Sequence, residues 1–382
     1  PEQVFVPLLQ HTGAACEPIV KLRQEVAWGE KVGDSKAFVS SPVHAPVNGT
    51  VGMFSVATLP NGRHVKTVPI KTGANPVAGE ALIRDIFGGE WPRSGLDAHA
   101  PEKIAEAVRE AGIVGMGGAA FPAHVKLGRN EKRPVDTILV NGCECEPYLT
   151  ADYRLMVEFH APVVTGALLA ARAAGAKQIV IAIEDNKPAA VEAMAKAASG
   201  TGIHVAVPQT SYPMGGEKQT VRAVLKRTIP TGGLPLDIGV VVINVGTAAA
   251  MARAVLRGRP LTHRIVSVTG SGIVQPRNVL APVGATYADL VNFCGGLKPE
   301  TVRVVAGGPM MGFTLGDLNV PVTKGTSGIV AMTDAESRQP EELTCIRCGR
   351  CVDVCPLNLV PTRLALASRY QDWDLARSYH IS

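Results

Sequence analysis

Hydrophobic and polar positions change their period several times along the 382 residues. Up to about residue 85, short apolar runs alternate with Gly, Pro and Asn, which predicts strands at 19–20, 25–26, 31–32, 38–39 and 49–54. Asn48-Gly49 is a pair that a two-residue hairpin turn prefers, because both residues can take positive φ. From about 100 the period becomes helical. Residues 101–111 carry Pro in the first turn, Ile104, Ala107 and Val108 on one face, and Gly112 past the end. After a Gly-rich loop, strands at 137–141, 178–183, 204–207 and 238–245 alternate with helices at 152–174, 187–199, 217–226 and 247–257. Four such units predict a parallel sheet covered on both faces. Residues 264–330 return to strands at 265–269, 302–306 and 320–322 with one helix at 287–294. Residues 336–343 are polar and acidic and read as a linker, and a cysteine-bearing unit with a helix at about 363–370 follows.

Composition narrows the class. Hydrophobic residues at 46% can bury sizeable cores, while 40 Gly, 28 Pro and only 4% aromatics suit α/β layers with many tight turns. The longest apolar stretches, 161–176 and 239–256, are broken by Arg172, Asn244 and Arg253, so neither is a membrane span. There is no basic-then-apolar leader, and the start at Pro1 without Met reads as a processed or cut terminus. A net charge of +5 without a run of like charges does not support nucleic-acid binding and would suit docking to an acidic partner or membrane surface. The first segment resembles the hammerhead-like barrel of biotinyl and lipoyl domains. The modifiable Lys is missing from its Asn-Gly turn, so a structural role is expected.

Eight cysteines carry the strongest chemical signal, four of them within residues 345–355. Cys345, Cys348, Cys351 and Cys355, followed by Pro356, have the bacterial ferredoxin spacing for a 4Fe-4S cluster; zinc sites more often use two separated pairs. The loop Gly112-Ile-Val-Gly115-Met-Gly117-Gly118 follows a helix and lacks the Lys-Ser/Thr of a P-loop, so alone it reads equally as a connector. Its glycines allow a planar ring or a phosphate to touch the backbone. Directly after the strand 137–141 comes Asn141-Gly-Cys143-Glu144-Cys145-Glu146-Pro, at the sheet end where open α/β folds bind ligands. Cys143 and Cys145 read as buried small residues or a zinc pair. Gly215-Gly216-Glu217-Lys218 and Asn244-Val-Gly246-Thr247 open two further helices, with N–H groups able to hold a phosphate.

These motifs, in this order and over essentially the whole chain, resemble the RnfC subunit of the Rnf electron-transport complex, a family similar to the NADH-oxidising flavin subunit of respiratory complex I. The resemblance implies a multidomain α/β protein. Its parts would be a barrel-sandwich at 1–95, an α/β FMN- and NADH-binding domain at 96–262, a soluble-ligand-binding β-grasp at 263–332 and a ferredoxin-like unit at 333–382. It places FMN against Gly115, Gly117, Gly118 and Lys126, with Asn141, Glu144 and Glu217 beside it and Asn244 and Thr247 near its phosphate. NADH, the substrate, would lie near Phe121, Glu146 and Lys218. Lys218 and Cys143 stand where the complex I protein has acidic residues, so the nucleotide contacts differ there.

The resemblance implies an electron-input subunit linking NADH and ferredoxin pools. It would be peripheral on the cytoplasmic face of the bacterial inner membrane and held there only by partner subunits, among them the iron–sulfur subunit that meets ferredoxin. Two 4Fe-4S clusters are expected in the full-length protein, with Cys345, Cys348 and Cys351 on the first, Cys355 on the second, and the remaining ligands beyond Ser382. A soluble NADH-dependent reductase of the cobalamin-reductase type and a relay subunit that binds no nucleotide are the alternatives.

Overall fold

The computed structural model describes residues 1–128, 133–338, 341 and 343–380. The chain divides into two units, Pro1–Ser337 and Arg338–Ser382. The boundary falls within the expected linker 336–343, part of which lies outside the described residues.

The first unit opens on a barrel-like pair of sheets. One has the strand order Gln3–Pro7, His64–Thr72, Gly49–Val51, Glu25–Val26, with Ser55–Thr58 on the long second strand; the other joins Glu17–Pro18, Lys31–Asp34 and Val43–His44. Val4, Val6, Val32, Val68 and Ile70 are fully buried between them. The Asn48-Gly49 hairpin does not form. Val43–His44 and Gly49–Val51 belong to different sheets, and Asn48 Oδ1 accepts the Trp28 N–H at 2.6 Å. Gly49 is needed because a Cβ there would strike the Lys71 carbonyl. The expected strand at 38–39 is also absent, and Phe38 is 76% exposed.

The central layer is a parallel sheet ordered His204–Ala206, Gln178–Ala182, Thr137–Asn141, Val240–Asn244. Alternate residues serve two cores. Ile138, Val140, Ile181, Val241 and Ile243 face the thick helical layer, while Leu139, Val180, Val240 and Val242 face the helix Glu217–Leu225 and its flanking segments. The sheet is therefore covered on both faces, very unequally. One long helix at 152–174 was expected; instead Ala151–Glu158 and His160–Ala174 meet at 96°. Pro162 is the reason, since it has no N–H to give Glu158 and so cannot continue a helix through that point. Gly166 lets His160–Ala174 lie directly on Val245–Arg257, where any Cβ would meet the Ala248 carbonyl.

The third layer is a five-stranded sheet ordered Arg277–Pro282, His263–Thr269, Gly328–Thr333, Thr301–Ala306, Phe313–Thr314, packed on the helix Tyr287–Phe293. The expected strand at 320–322 reduces to one bridge, Thr286 to Pro321, and three strands, Arg277–Pro282, Phe313–Thr314 and Gly328–Thr333, lie outside the expected ones. In the second unit, Arg350–Asp353, Pro361–Tyr370 and Trp373–Ser378 are helical, with Ala367 and Ala376 its buried apolar side chains.

Candidate flavin site and cysteine loop

From Thr137–Asn141 the sheet grows one way through Gln178–Ala182 and His204–Ala206, and Val240–Asn244 is added on the opposite side. The crevice between Thr137–Asn141 and Val240–Asn244 is thus a topological switch point, where open α/β sheets hold ligands at the carboxyl ends of their strands. Asn141 and Asn244, the last residues of these strands, are register partners. Both side chains are committed to shaping the crevice. Asn141 Nδ2 donates to the Gly215 carbonyl at 2.9 Å and its Oδ1 accepts Cys143 N–H at 3.0 Å. Asn244 Oδ1 caps the following helix by accepting Gly246 N–H at 2.7 Å, and its Nδ2 donates to Asp152 at 2.5 Å.

The Gly-rich loop closes over this end. Gly115 N–H donates to the Phe121 carbonyl at 2.8 Å, and Val114 bridges Pro122, which makes residues 114–122 a closed arch. Thr247, 1% exposed, accepts Met116 N–H at 2.9 Å and donates to the Val114 carbonyl at 3.3 Å. Its hydroxyl is fully used by the loop. Gly117 and Gly118 are exposed; Gly118 has φ +121° and open space where a Cβ would stand, and a Cβ added to Gly117 would meet Asn244 at 3.6 Å. This bare backbone cradle is what a flat ring requires.

Other expected site residues frame the cradle. Lys126 Nζ donates to Glu217 at 2.8 Å and to the Val242 carbonyl at 3.2 Å, so the two residues meet across the sheet end. Both carboxylate oxygens of Glu144 accept N–H groups, from Asp152 at 2.9 Å and Tyr153 at 3.0 Å, at the start of the helix Ala151–Glu158. Burial first, and Asp152 second, push the Glu144 carboxyl above its usual range. Glu146 turns to the β-grasp layer, where its Oε2 accepts Met310 N–H at 3.1 Å and Gly308 leaves it room, while its Oε1 is buried without a partner. Phe121 is half-buried and Lys218 exposed. Cys143 is buried, and burial pushes its thiol up to about 12.

Three residues that periodicity had not singled out matter here. Arg264, buried in the β-grasp strand, reaches Met116 Sδ at 2.5 Å, and burial brings its guanidinium down to about 10. Asp152 lies under Asn244, with its carboxyl raised by burial. Lys324, 1% exposed, donates to the carbonyls of Pro42 and Gly112, and burial brings it down to about 7. A charge inside an apolar strand was a possible signal for Arg264; nothing local marks Lys324.

In the second unit, Arg347 N–H donates to Cys345 Sγ and Leu359 N–H to Cys355 Sγ, each at 3.4 Å. Arg347 and Gly349 take positive φ, 55° and 79°, which turns the backbone around the sulfurs. Cys345 and Cys348 are exposed, Cys351 and Cys355 half-buried. Four soft thiols at the ferredoxin spacing, two of them accepting N–H donors, have the ligand chemistry of an iron–sulfur cluster, although among the described residues no three His, Cys, Asp or Glu stand close enough together to hold a metal as they are.

Similarity to known proteins follows the same division of the chain. Residues 1–75 match the RnfC barrel sandwich hybrid domain and 108–253 the Nuo51 FMN-binding domain. Residues 265–314 match the SLBB domain and 340–359 a 4Fe-4S binding domain. The NAD+-reducing [NiFe]-hydrogenase in its H2-reduced state shares the fold with a TM-score of 0.55 at 22% identity, over 68% of this chain and 51% of that one. Fold, glycine cradle and cysteine loop together define an iron–sulfur flavoprotein. Among curated proteins, the RnfC-type component of the proton-translocating ferredoxin:NAD(+) oxidoreductase complex of Clostridium ljungdahlii is 41% identical over 96% of this chain and 78% of its own length. Its counterpart in the Na(+)-translocating ferredoxin:NAD(+) oxidoreductase complex of Acetobacterium woodii is 40% identical, over 99% and 84% respectively. The counterpart in the ion-translocating oxidoreductase complex of Rhodobacter capsulatus is 43% identical over 95% and 69%. The chain belongs to this family, the RnfC subunits of ion-translocating oxidoreductase complexes.

Proposed function

We propose that this chain passes electrons between a nicotinamide nucleotide and iron–sulfur centres by way of FMN, as the RnfC subunit of a membrane-bound ion-translocating complex. The observation that carries the reading is the bare Gly117–Gly118 backbone beside Asn244 at the sheet's switch point. FMN, when bound, supplies the exchange between two-electron and one-electron transfer. The chain's own task is geometric. Gly115, Gly117 and Gly118 give the ring a backbone surface without side chains, Lys126 and Glu217 bound its edge, and Asn141 and Glu144 keep the strand end and its helix in place. Asn244 and Thr247 hold the start of Val245–Arg257, the helix end at which the phosphate would lie. Phe121, Glu146 and Lys218 would meet the nucleotide, and Cys345, Cys348, Cys351 and Cys355 would hold iron.

Among the described residues no single helix is long and apolar enough to cross a membrane. Attachment through partner subunits, on the cytoplasmic face where NADH is available, is part of the proposal. The test is an optical titration of the purified subunit. A yellow chromophore bleached by NADH, and lost in Gly118→Val while the iron–sulfur signal persists, is the expected result. A Gly118→Val protein that keeps stoichiometric flavin would remove the loop from the site.

A further inference from the structure

We infer that the β-grasp turn Thr323-Lys324-Gly325-Thr326 positions the Gly-rich loop for its flavin, with Lys324 as the positioning residue. This rests on the reading of residues 115–121 as the flavin loop. It gives the β-grasp layer a part in building the flavin site.

One four-residue turn reaches the loop at three places. At its base, Lys324 Nζ donates to the Gly112 carbonyl at 2.7 Å and to the Pro42 carbonyl of the barrel at 2.5 Å. Gly112, at φ +66°, packs so closely on Lys324 and Pro42 that a Cβ would strike both. At the tip, Gly325 lies close enough to the loop that a Cβ added there would stand 3.3 Å from Ala120 Cβ and 3.8 Å from the Gly118 carbonyl. In the middle, the Thr326 carbonyl accepts Arg264 Nε at 3.3 Å, and Arg264 Nη1 reaches Met116 Sδ at 2.5 Å. The turn is itself fixed, because Lys324 N–H donates to Gln10 Oε1 at 3.0 Å and Thr323 N–H to Thr326 Oγ1 at 2.9 Å. The barrel adds Thr12, whose N–H and hydroxyl donate to the carbonyls of Ala120 and Ala119 at 3.2 and 3.0 Å.

Lys324 is an expensive way to fill space. Among the described residues no carboxylate pairs with it, and buried charges are ordinarily paired. Its titratable neighbours do not compensate. His11 and His44 are held neutral, near 4 and 3, chiefly by burial, and the Cys16 thiol is raised by burial. What the ammonium does accomplish is to bind two carbonyls from two layers, one of them at the root of the flavin loop. Lys324 touches no reacting atom; it fixes where the Gly117 and Gly118 backbone stands.

The test uses the full-length subunit and three readouts: FMN affinity by titration, and the visible circular dichroism and midpoint potential of the flavin at saturation. Lys324→Met should weaken FMN binding about tenfold. Gly325→Ala, which adds only a Cβ against Ala120, should weaken it about threefold. Both should show an altered flavin dichroism and a shifted potential even when saturated. A wild-type dichroism and potential at saturation in both variants, whatever the affinity, would overturn the inference by leaving Lys324 a merely structural residue. Should Lys324→Met fail to fold, Gly325→Ala decides on the same readouts. Gly118→Val separates the two layers of argument. If it abolishes FMN binding while the turn variants behave as wild type, the loop assignment stands and the positioning role falls. If it keeps FMN, the loop assignment falls and the positioning role with it.

Discussion

The glycine loop and the cysteine loop are built in opposite ways. Residues 112–121 are tied to groups far away in the chain: Thr12 and Pro42 before it, Thr247, Arg264 and Lys324 after it. The cysteine loop's hydrogen bonds to sulfur come from residues two and four positions along the chain, and two of its four cysteines are exposed. The first is a shape imposed by three packed layers, onto which the proposed cofactor would fit. The second is a set of ligands whose own metal would supply much of the order, because a unit with so little buried apolar surface gains its stability from the metal it binds.

The largest effect that would break this contrast is at the cysteines. In a chain ending at Ser382, Cys348→Ser should remove the cluster altogether, with iron per chain falling to background while flavin content stays at wild type. The same variant, or chelation, should raise hydrogen exchange over 343–380 to nearly unprotected rates and leave 1–337 unaffected. Retained protection in 343–380 without iron would show that the unit folds by its own packing. Cys355→Ala sharpens the point: if Cys355 ligates a second cluster, a chain ending at Ser382 keeps its first iron signal without it, and loss of all iron would make the four cysteines one site.

An intermediate effect is expected at the root of the glycine loop. Gly112→Ala must overcome both a positive φ and a collision with the Pro42 carbonyl and Lys324 Nζ, so a loss of about 2–4 kcal/mol in unfolding free energy is expected. Flavin affinity should fall with it. A denaturation midpoint equal to wild type would mean that the three layers do not hold the loop at this point.

The smallest effect is a pH dependence. Lys324 binds its proton less tightly in the folded chain, about 7, than in the unfolded one, roughly 10.4. Between these values the unfolded state holds more protons, so stability rises with pH across that window and is lost as pH falls towards 7. Relative to Lys324→Met, the wild type should gain about 1–3 kcal/mol between pH 7 and pH 9. Parallel stability curves for the two proteins would show that the ammonium is not buried as described.

How much of this could be read in the chain itself follows from where each feature's cause lies. The 4Fe-4S spacing is chemistry written as sequence, since the gaps between Cys345, Cys348, Cys351 and Cys355 fix which thiols can share a cluster. The four parallel strands were legible because their period and their Gly and Pro boundaries are local. The bend at Phe159 was legible in principle, through Pro162, but was outweighed by an apolar run that continues past it. Asn48-Gly49 misled, because its turn preference yielded to the close approach of the Lys71 carbonyl.

The strand-end motifs marked the crevice, yet only the packed structure decided what their side chains do there. Thr247 and Asn244 spend their polar atoms on the loop and the helix cap, and Glu146 turns to Met310. Lys324 stands 212 positions from Gly112, and no periodicity spans such a separation. Local spacing therefore marked the 4Fe-4S motif and the loops at the strand ends, while the flavin followed from the resemblance of the whole set of motifs. The support beneath the glycine loop was decided by tertiary packing, because hydrogen bonds between layers depend on which surfaces meet, and that is set by the whole fold.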